Sequence, residues 1–129
     1  MLELKEISVK LGEKRVLENI NLKIERGEKL LIKGRSGSGK STLLKTVLGF
    51  IIPEKGAILF NGEKIKKKNI FEYRNKMAYI SQGIDFRDEK VKEVIKEIFL
   101  YRANRDISIS KEQIAECFEL FDLDESILE

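Results

Sequence analysis

The chain contains no histidine. A Ser-His-Asp triad and a histidine-held metal centre are therefore both excluded. A single cysteine, Cys117, leaves no partner for an intrachain disulfide and fits a reducing compartment. Long apolar runs are also missing. The longest, Val47–Ile52, is broken by Gly49 and falls far short of the ~18 residues that span a bilayer. The N-terminus is charged from Glu3 and has no apolar signal core, so the sequence reads as cytosolic. Strong charge of one sign is absent too: 25 basic against 22 acidic residues give +3, which singles out neither nucleic acid nor an anionic membrane. At 42% hydrophobic the chain is too apolar to be disordered, and 129 residues suffice for one core.

Extended segments dominate the first part. Leu2, Leu4, Ile7 and Val9 roughly alternate with polar residues. A turn is expected at Gly12-Glu13-Lys14, followed by a second strand carrying Val16, Leu17, Ile20, Leu22 and Ile24. Leu30-Leu31-Ile32 is continuously apolar, as in a strand of a parallel sheet covered on both faces. From Lys40 helical spacing begins, with Leu44, Val47 and Leu48 expected on the inner side and Gly49 as the stop. Ala57–Phe60 is a candidate strand ending in the hairpin pair Asn61-Gly62, and Met77–Ile80 is another short strand. Beyond Gly83 the pattern is helical. Val91, Val94, Ile95, Ile98 and Phe99 form one stripe. Ile114, Ala115, Phe118 and Phe121 form a second, preceded by the capping box Ser110–Gln113. Cys117 is expected inside that stripe as a small core residue.

One segment carries chemistry. Gly34-Arg35-Ser36-Gly37-Ser38-Gly39-Lys40-Ser41 matches G-x-x-x-x-G-K-[ST], the phosphate-binding loop. Glycines let successive N–H groups converge on phosphate oxygens, and the helix that follows aims its positive end at the same point. The Lys40 ammonium would reach the β- and γ-phosphates and the Ser41 hydroxyl would ligate Mg²⁺. One window matches by chance with odds of about 10⁻⁵ at ordinary residue frequencies. The loop also sits between an apolar extended run and a helical pattern, the context the motif requires.

With the loop GRSGSGKSTLL, the flanking stretches Val16–Leu22 and Gly27-Glu28, the helix end Leu48-Gly49, Pro53 through Ile58, and Tyr79-Ile80-Ser81-Gln82, the sequence resembles the ATP-binding subunit of ABC transporters. The resemblance implies an α/β fold: a P-loop NTPase core with antiparallel N-terminal strands and the beginning of a helical subdomain. It divides the chain into a partial ATP-binding core at 1–82 and, at 83–129, the Q-loop and a truncated helical subdomain. It implies ATP and Mg²⁺ as cofactors, with Gly34, Arg35, Ser36, Gly37, Ser38, Gly39, Lys40, Ser41 and Thr42 wrapping the triphosphate. Gln82 would approach Mg²⁺ and the attacking water beside Ser41, and with Lys40 would be the catalytic contribution. The loop after Gln82, with Phe86 and Arg87, would face a transmembrane permease. A second ATP-binding subunit would complete the site, and the pair would sit on the inner face of the membrane.

Departures from the family pattern set further expectations. Where the family stacks an aromatic residue on adenine this chain has Leu11, with Val16 as the neighbouring contact, so stacking would be weak. No LSGGQ-like signature and no apolar strand ending in Asp-Glu follows, and Leu120–Glu125 reads as a helix end. The chain is accordingly expected to bind nucleotide weakly and not to turn it over alone. A non-catalytic module pairing with a complete subunit, or another small P-loop enzyme such as a kinase, are the alternative readings. Lys64, Lys66, Lys67, Lys68, Arg74 and Lys76, with Phe71 and Tyr73 nearby, form a basic cluster read as a solvated loop, not a nucleic-acid site.

Overall fold

The hairpin that opens the chain follows from its alternating apolar residues. In the computed structural model, which describes residues 1–81, 83, 89–104, 106–124 and 126, strand β1 (Leu2–Leu11) pairs antiparallel with β2 (Lys14–Ile24), from Leu2 opposite Ile24 to Leu11 opposite Lys14. Leu4, Ile7 and Val9 are all buried although the first pair is spaced by three positions, not two. A register shift between Leu4 and Ile7 absorbs the extra residue, with Glu6 at φ 51° and Asn19 at φ 48° across the ladder. Backbone donors at this irregularity are met by side chains. Glu6 N–H donates to Asn21 Oδ1 (2.9 Å), and Asn19 N–H donates to Ser8 Oγ (3.0 Å).

Strand β3 (Lys55–Phe60) pairs antiparallel with the other edge of β1, and β4 (Glu63–Lys64) returns beside it, giving the order β2-β1-β3-β4. The β3–β4 turn is the expected Asn61-Gly62, both at positive φ as a tight two-residue hairpin requires. Gly56 is obligatory for a long-range reason. Its φ is 95°, and a β-carbon there would overlap the carbonyl oxygens of Lys5 and Glu6 on β1.

Helix α1 (Lys40–Val47) lays Leu43 and Val47 on the inner face of the sheet, against Leu4, Ile7, Val9, Leu17 and Ile58. The expected inner residue Leu44 is 42% exposed, whereas Leu43 and Thr46 are buried. Because the sheet lies on the side of Leu43, Thr46 and Val47, Leu44 is turned about 100° away. Thr46 satisfies its hydroxyl by donating to Thr42 C=O at 2.7 Å. The helix ends as expected at Gly49 (φ 70°): Gly49 N–H donates to Thr46 C=O and Phe50 N–H to Lys45 C=O, both at 2.9 Å. A short helix α2 (Ile70–Arg74), not foreseen in the sequence, follows the basic loop.

Two expected strands do not form. Leu30–Ile32 and Met77–Ile80 pair with no strand of the sheet. Leu30–Lys33 and Ala78–Tyr79 make no backbone hydrogen bond among the described residues. Ile32 and Met77 pack on the core, but Leu31 is 74% exposed. A ladder needs a neighbour on at least one edge, and no described segment supplies one.

These elements belong to a compact unit, Met1–Tyr79; residues 80–129 form a second. The latter contains α3 (Val91–Leu100), a 3₁₀ turn (Arg102–Asn104) and α4 (Lys111–Leu120). The capping box at α4 is present in both directions: Gln113 N–H donates to Ser110 Oγ (3.2 Å), and Ser110 N–H donates to Gln113 Oε1 (2.9 Å). Leu120–Phe121 close the helix, with Asp122 at φ 55° and Leu123 N–H donating to Phe118 C=O, so this stretch is a helix end and not a strand. Cys117 is exposed, contrary to expectation. The partly buried side of α4 is that of Ile114, Ala115 and Phe118, and Cys117 stands about a quarter-turn off it. Phe121 is likewise exposed, since it lies past the last helical residue.

Candidate phosphate-binding site

Residues 34–42 form a loop that turns into α1. Gly37 (φ 74°) and Gly39 (φ 92°) both hold the left-handed conformation that L side chains resist. A turn over Arg35–Ser38 is closed by Ser38 N–H donating to Arg35 C=O at 3.2 Å. A β-carbon on Gly34 would lie 2.6 Å from Ser38 Oγ, so residues 34 and 38 approach closely across the loop. At Gly39 the same atom would meet Val16 Cγ1, Val16 carbonyl oxygen and Leu17 Cδ2, each at 3.1 Å. Strand β2 thus buttresses the point where loop becomes helix.

Lys40, the first residue of α1, arches back over the loop. Its Nζ donates to Gly34 C=O at 2.9 Å and to Arg35 C=O at 2.8 Å. The ammonium therefore stands at the mouth of the ring of backbone groups. No side chain caps α1: Gly39 occupies that position and carries none. The first-turn N–H groups of the helix are left for an outside acceptor, and the helix dipole places partial positive charge there. Ser41 is exposed on that first turn and Thr42 is half-buried behind it. Uncapped donors, an ammonium and a backbone freed of β-carbons at residues 34, 37 and 39 fit a polyanion in size and sign.

Of the other expected site residues, Val16 is brought to the loop by its contact with Gly39. Leu11 sits at the β1–β2 hairpin end, opposite Lys14 and 46% exposed. Gln82, Phe86 and Arg87 lie outside the described residues. For a metal ion, the described residues offer no cluster of three carboxylate or thiol groups. Among the described residues Ser41 offers an exposed hydroxyl on the first turn of α1, which would fit Mg²⁺ as an ion carried mainly by the phosphates.

The far end of α1 holds residues whose role the sequence concealed. Tyr73 Oη donates to Val47 C=O (2.8 Å), Arg74 Nε to Leu48 C=O (2.9 Å) and Arg74 Nη2 to Gly49 C=O (2.8 Å). Burial pushes the Tyr73 phenol up to about 12. Arg74 also lies over the Phe50 ring, 4.4 Å from its centroid. Two members of the basic cluster region are thus spent inside the fold. Helix α2 is five residues long, too short for a periodic stripe, so no pattern announced it.

The ABC transporter family profile matches residues 17–128. Among curated proteins, the phosphonates import ATP-binding protein PhnC of Treponema denticola is 44% identical over 87 residues, 64% of this chain and 34% of that protein. The intermembrane phospholipid transport system ATP-binding protein MlaF of Haemophilus influenzae is 35% identical over 86 residues, 64% of this chain and 33% of that protein. Among solved structures, an ATP-binding cassette captured as a dimer after hydrolysis with ADP and Pi superposes with a TM-score of 0.73 at 28% identity, over 99% of this chain and 60% of that one. The chain spans about a third of the length of the two curated relatives. A phosphate-loop helix on an antiparallel sheet, matched along nearly its whole length to one family, places this chain in the ABC transporter family.

Proposed function

We propose that this chain is the N-terminal portion of an ABC transporter ATP-binding subunit and that residues Gly34–Thr42 hold the triphosphate of MgATP. The observation that supports this most directly is the uncapped N-terminus of α1 beneath the Lys40 ammonium. In the reading offered here, Lys40 exchanges its two carbonyl acceptors for phosphate oxygens, and Ser41 gives its hydroxyl to the metal. Mg²⁺ would neutralise phosphate charge when bound. Gln82 would orient water, Val16 would flank the nucleoside, and Leu11 would offer the base an apolar contact without a π-face. The complete subunit would pair with a second one and work at the inner, cytoplasmic membrane face through a permease partner.

Hydrolysis needs a positioned water, a metal clamp and charge stabilisation together. The signature and metal-carboxylate motifs do not occur in these 129 residues, so this portion would bind nucleotide without turning it over. The remaining part of a subunit would also supply the strands that flank Leu30–Ile32 and Ala78–Tyr79, whose backbones lack partners among the described residues. Titration calorimetry with ATP, ADP and pyrophosphate tests the cradle: all three should release heat, and Lys40→Ala should abolish most of it. Absence of heat from the folded wild-type chain, or indifference to Lys40→Ala, would remove the assignment. Phosphate release at millimolar MgATP that disappears in Lys40→Ala would refute the incomplete-site reading.

A further inference from the structure

Helix α1 carries the phosphate loop at one end, yet it has only eight residues. Two turns of helix do not hold together alone in water, because nucleation costs more than so few hydrogen bonds return. Its N-terminal end is left uncapped, so that end contributes little to keeping the helix formed. Stabilisation must come from its buried side, Leu43, Thr46 and Val47, and from the opposite end.

That opposite end is held unusually fully. Three successive carbonyls, Val47, Leu48 and Gly49, each receive a side-chain donor from α2. Two of the three bonds come from one guanidinium, whose fixed fork reaches adjacent carbonyls and whose charge complements the negative end of the helix. The Phe50 ring, one residue past Gly49, lies against the same guanidinium. Gly49 suits this end, since its φ is 70° and a β-carbon there would displace the Ile70 side chain of α2.

We infer that Arg74 is a positioning residue for the phosphate loop: by clamping the carbonyl end of α1 it keeps the helix formed while its N–H end stays open for phosphate. The inference rests on the MgATP reading above and adds a residue about 30 positions away in sequence. Apparent affinity is the intrinsic affinity scaled by the fraction of molecules in which α1 is formed. Loosening the clamp therefore weakens every ligand that uses the helix end by the same factor, whatever its base.

The test uses the 129-residue chain, with ATP and pyrophosphate as probes by calorimetry and amide exchange as the second readout. Arg74→Ala should weaken both ligands equally, on the order of tenfold. It should also speed exchange at Leu43–Leu48 while the amides of β1 stay protected. Arg74→Lys keeps the charge without the fork and should recover part of the loss. Should Arg74→Ala not fold, Tyr73→Phe, which deletes one bond, carries the same comparison with a smaller effect. Affinities within twofold of wild type, or equal acceleration in α1 and β1, would overturn the inference. If the wild-type chain binds neither probe, the nucleotide reading fails, and the role of Arg74 in binding fails with it.

Discussion

Gly39 and Gly37 stand two residues apart in one loop, and replacing each by alanine separates backbone strain from packing. Both have positive φ, 92° and 74°. Each alanine therefore incurs the left-handed penalty of roughly 1–2 kcal/mol. Gly37 has open space where the β-carbon would go. Gly39 has three atoms at 3.1 Å, one of them the backbone oxygen of Val16. That oxygen cannot retreat freely, because the neighbouring Leu17 is buried and paired with Val9 in the central ladder. Crowding of this kind adds about 1–3 kcal/mol. Gly37→Ala should thus cost about 1–2 kcal/mol and Gly39→Ala about 2–5 kcal/mol. Urea unfolding followed by far-UV circular dichroism, with the slope checked for constancy, gives both numbers. Equal midpoint shifts, or a larger one for Gly37→Ala, would refute the claim that β2 buttresses the start of α1.

Two further outcomes are expected. The Tyr73 phenol is held neutral by burial, its pKa raised from 10.0 to about 12. The stability linked to that shift is fully present below pH 10 and is lost as pH rises from about 10 to 12. Moving the pKa from 10.0 to about 12 corresponds to a loss on the order of 3 kcal/mol. Tyr73→Phe should flatten this limb of the stability profile relative to wild type, and identical profiles above pH 10 would show that the phenol does not titrate against folding. Leu31, exposed on a segment without ladder partners, should drive self-association of the isolated chain. Sedimentation velocity should show oligomers that Leu31→Lys reduces with less than about 0.5 kcal/mol change in stability. A wild-type chain that sediments as a single monomer would contradict this.

The parts of the molecule legible in the sequence are those whose physics is local. The Asn61-Gly62 turn, the Gly49 helix stop and the Ser110–Gln113 box each depend on residues within one or two turns of one another. The phosphate loop is of the same kind: glycines, an ammonium and a helix start within nine consecutive residues. What failed needed a distant partner. Leu30–Ile32 has the composition of a covered strand, but composition does not create the neighbour a ladder requires. Leu44 and Leu43 are chemically identical, and only the side on which the sheet lies distinguishes them. Cys117 adjoins an apolar stripe in the sequence and stands clear of its partly buried side in space.

By itself, then, the sequence determined the glycine turn that leads into α1 with Lys40 at its start, the proposed grip on phosphate, because a tight turn and a helix start need no help from afar. Tertiary structure alone decided what holds that grip in place. The carbonyls of Lys5 and Glu6 make Gly56 obligatory from some fifty residues away, and Tyr73 and Arg74 secure the end of α1 across 25 or 26. Such contacts depend on how the chain folds back on itself, which no local pattern encodes.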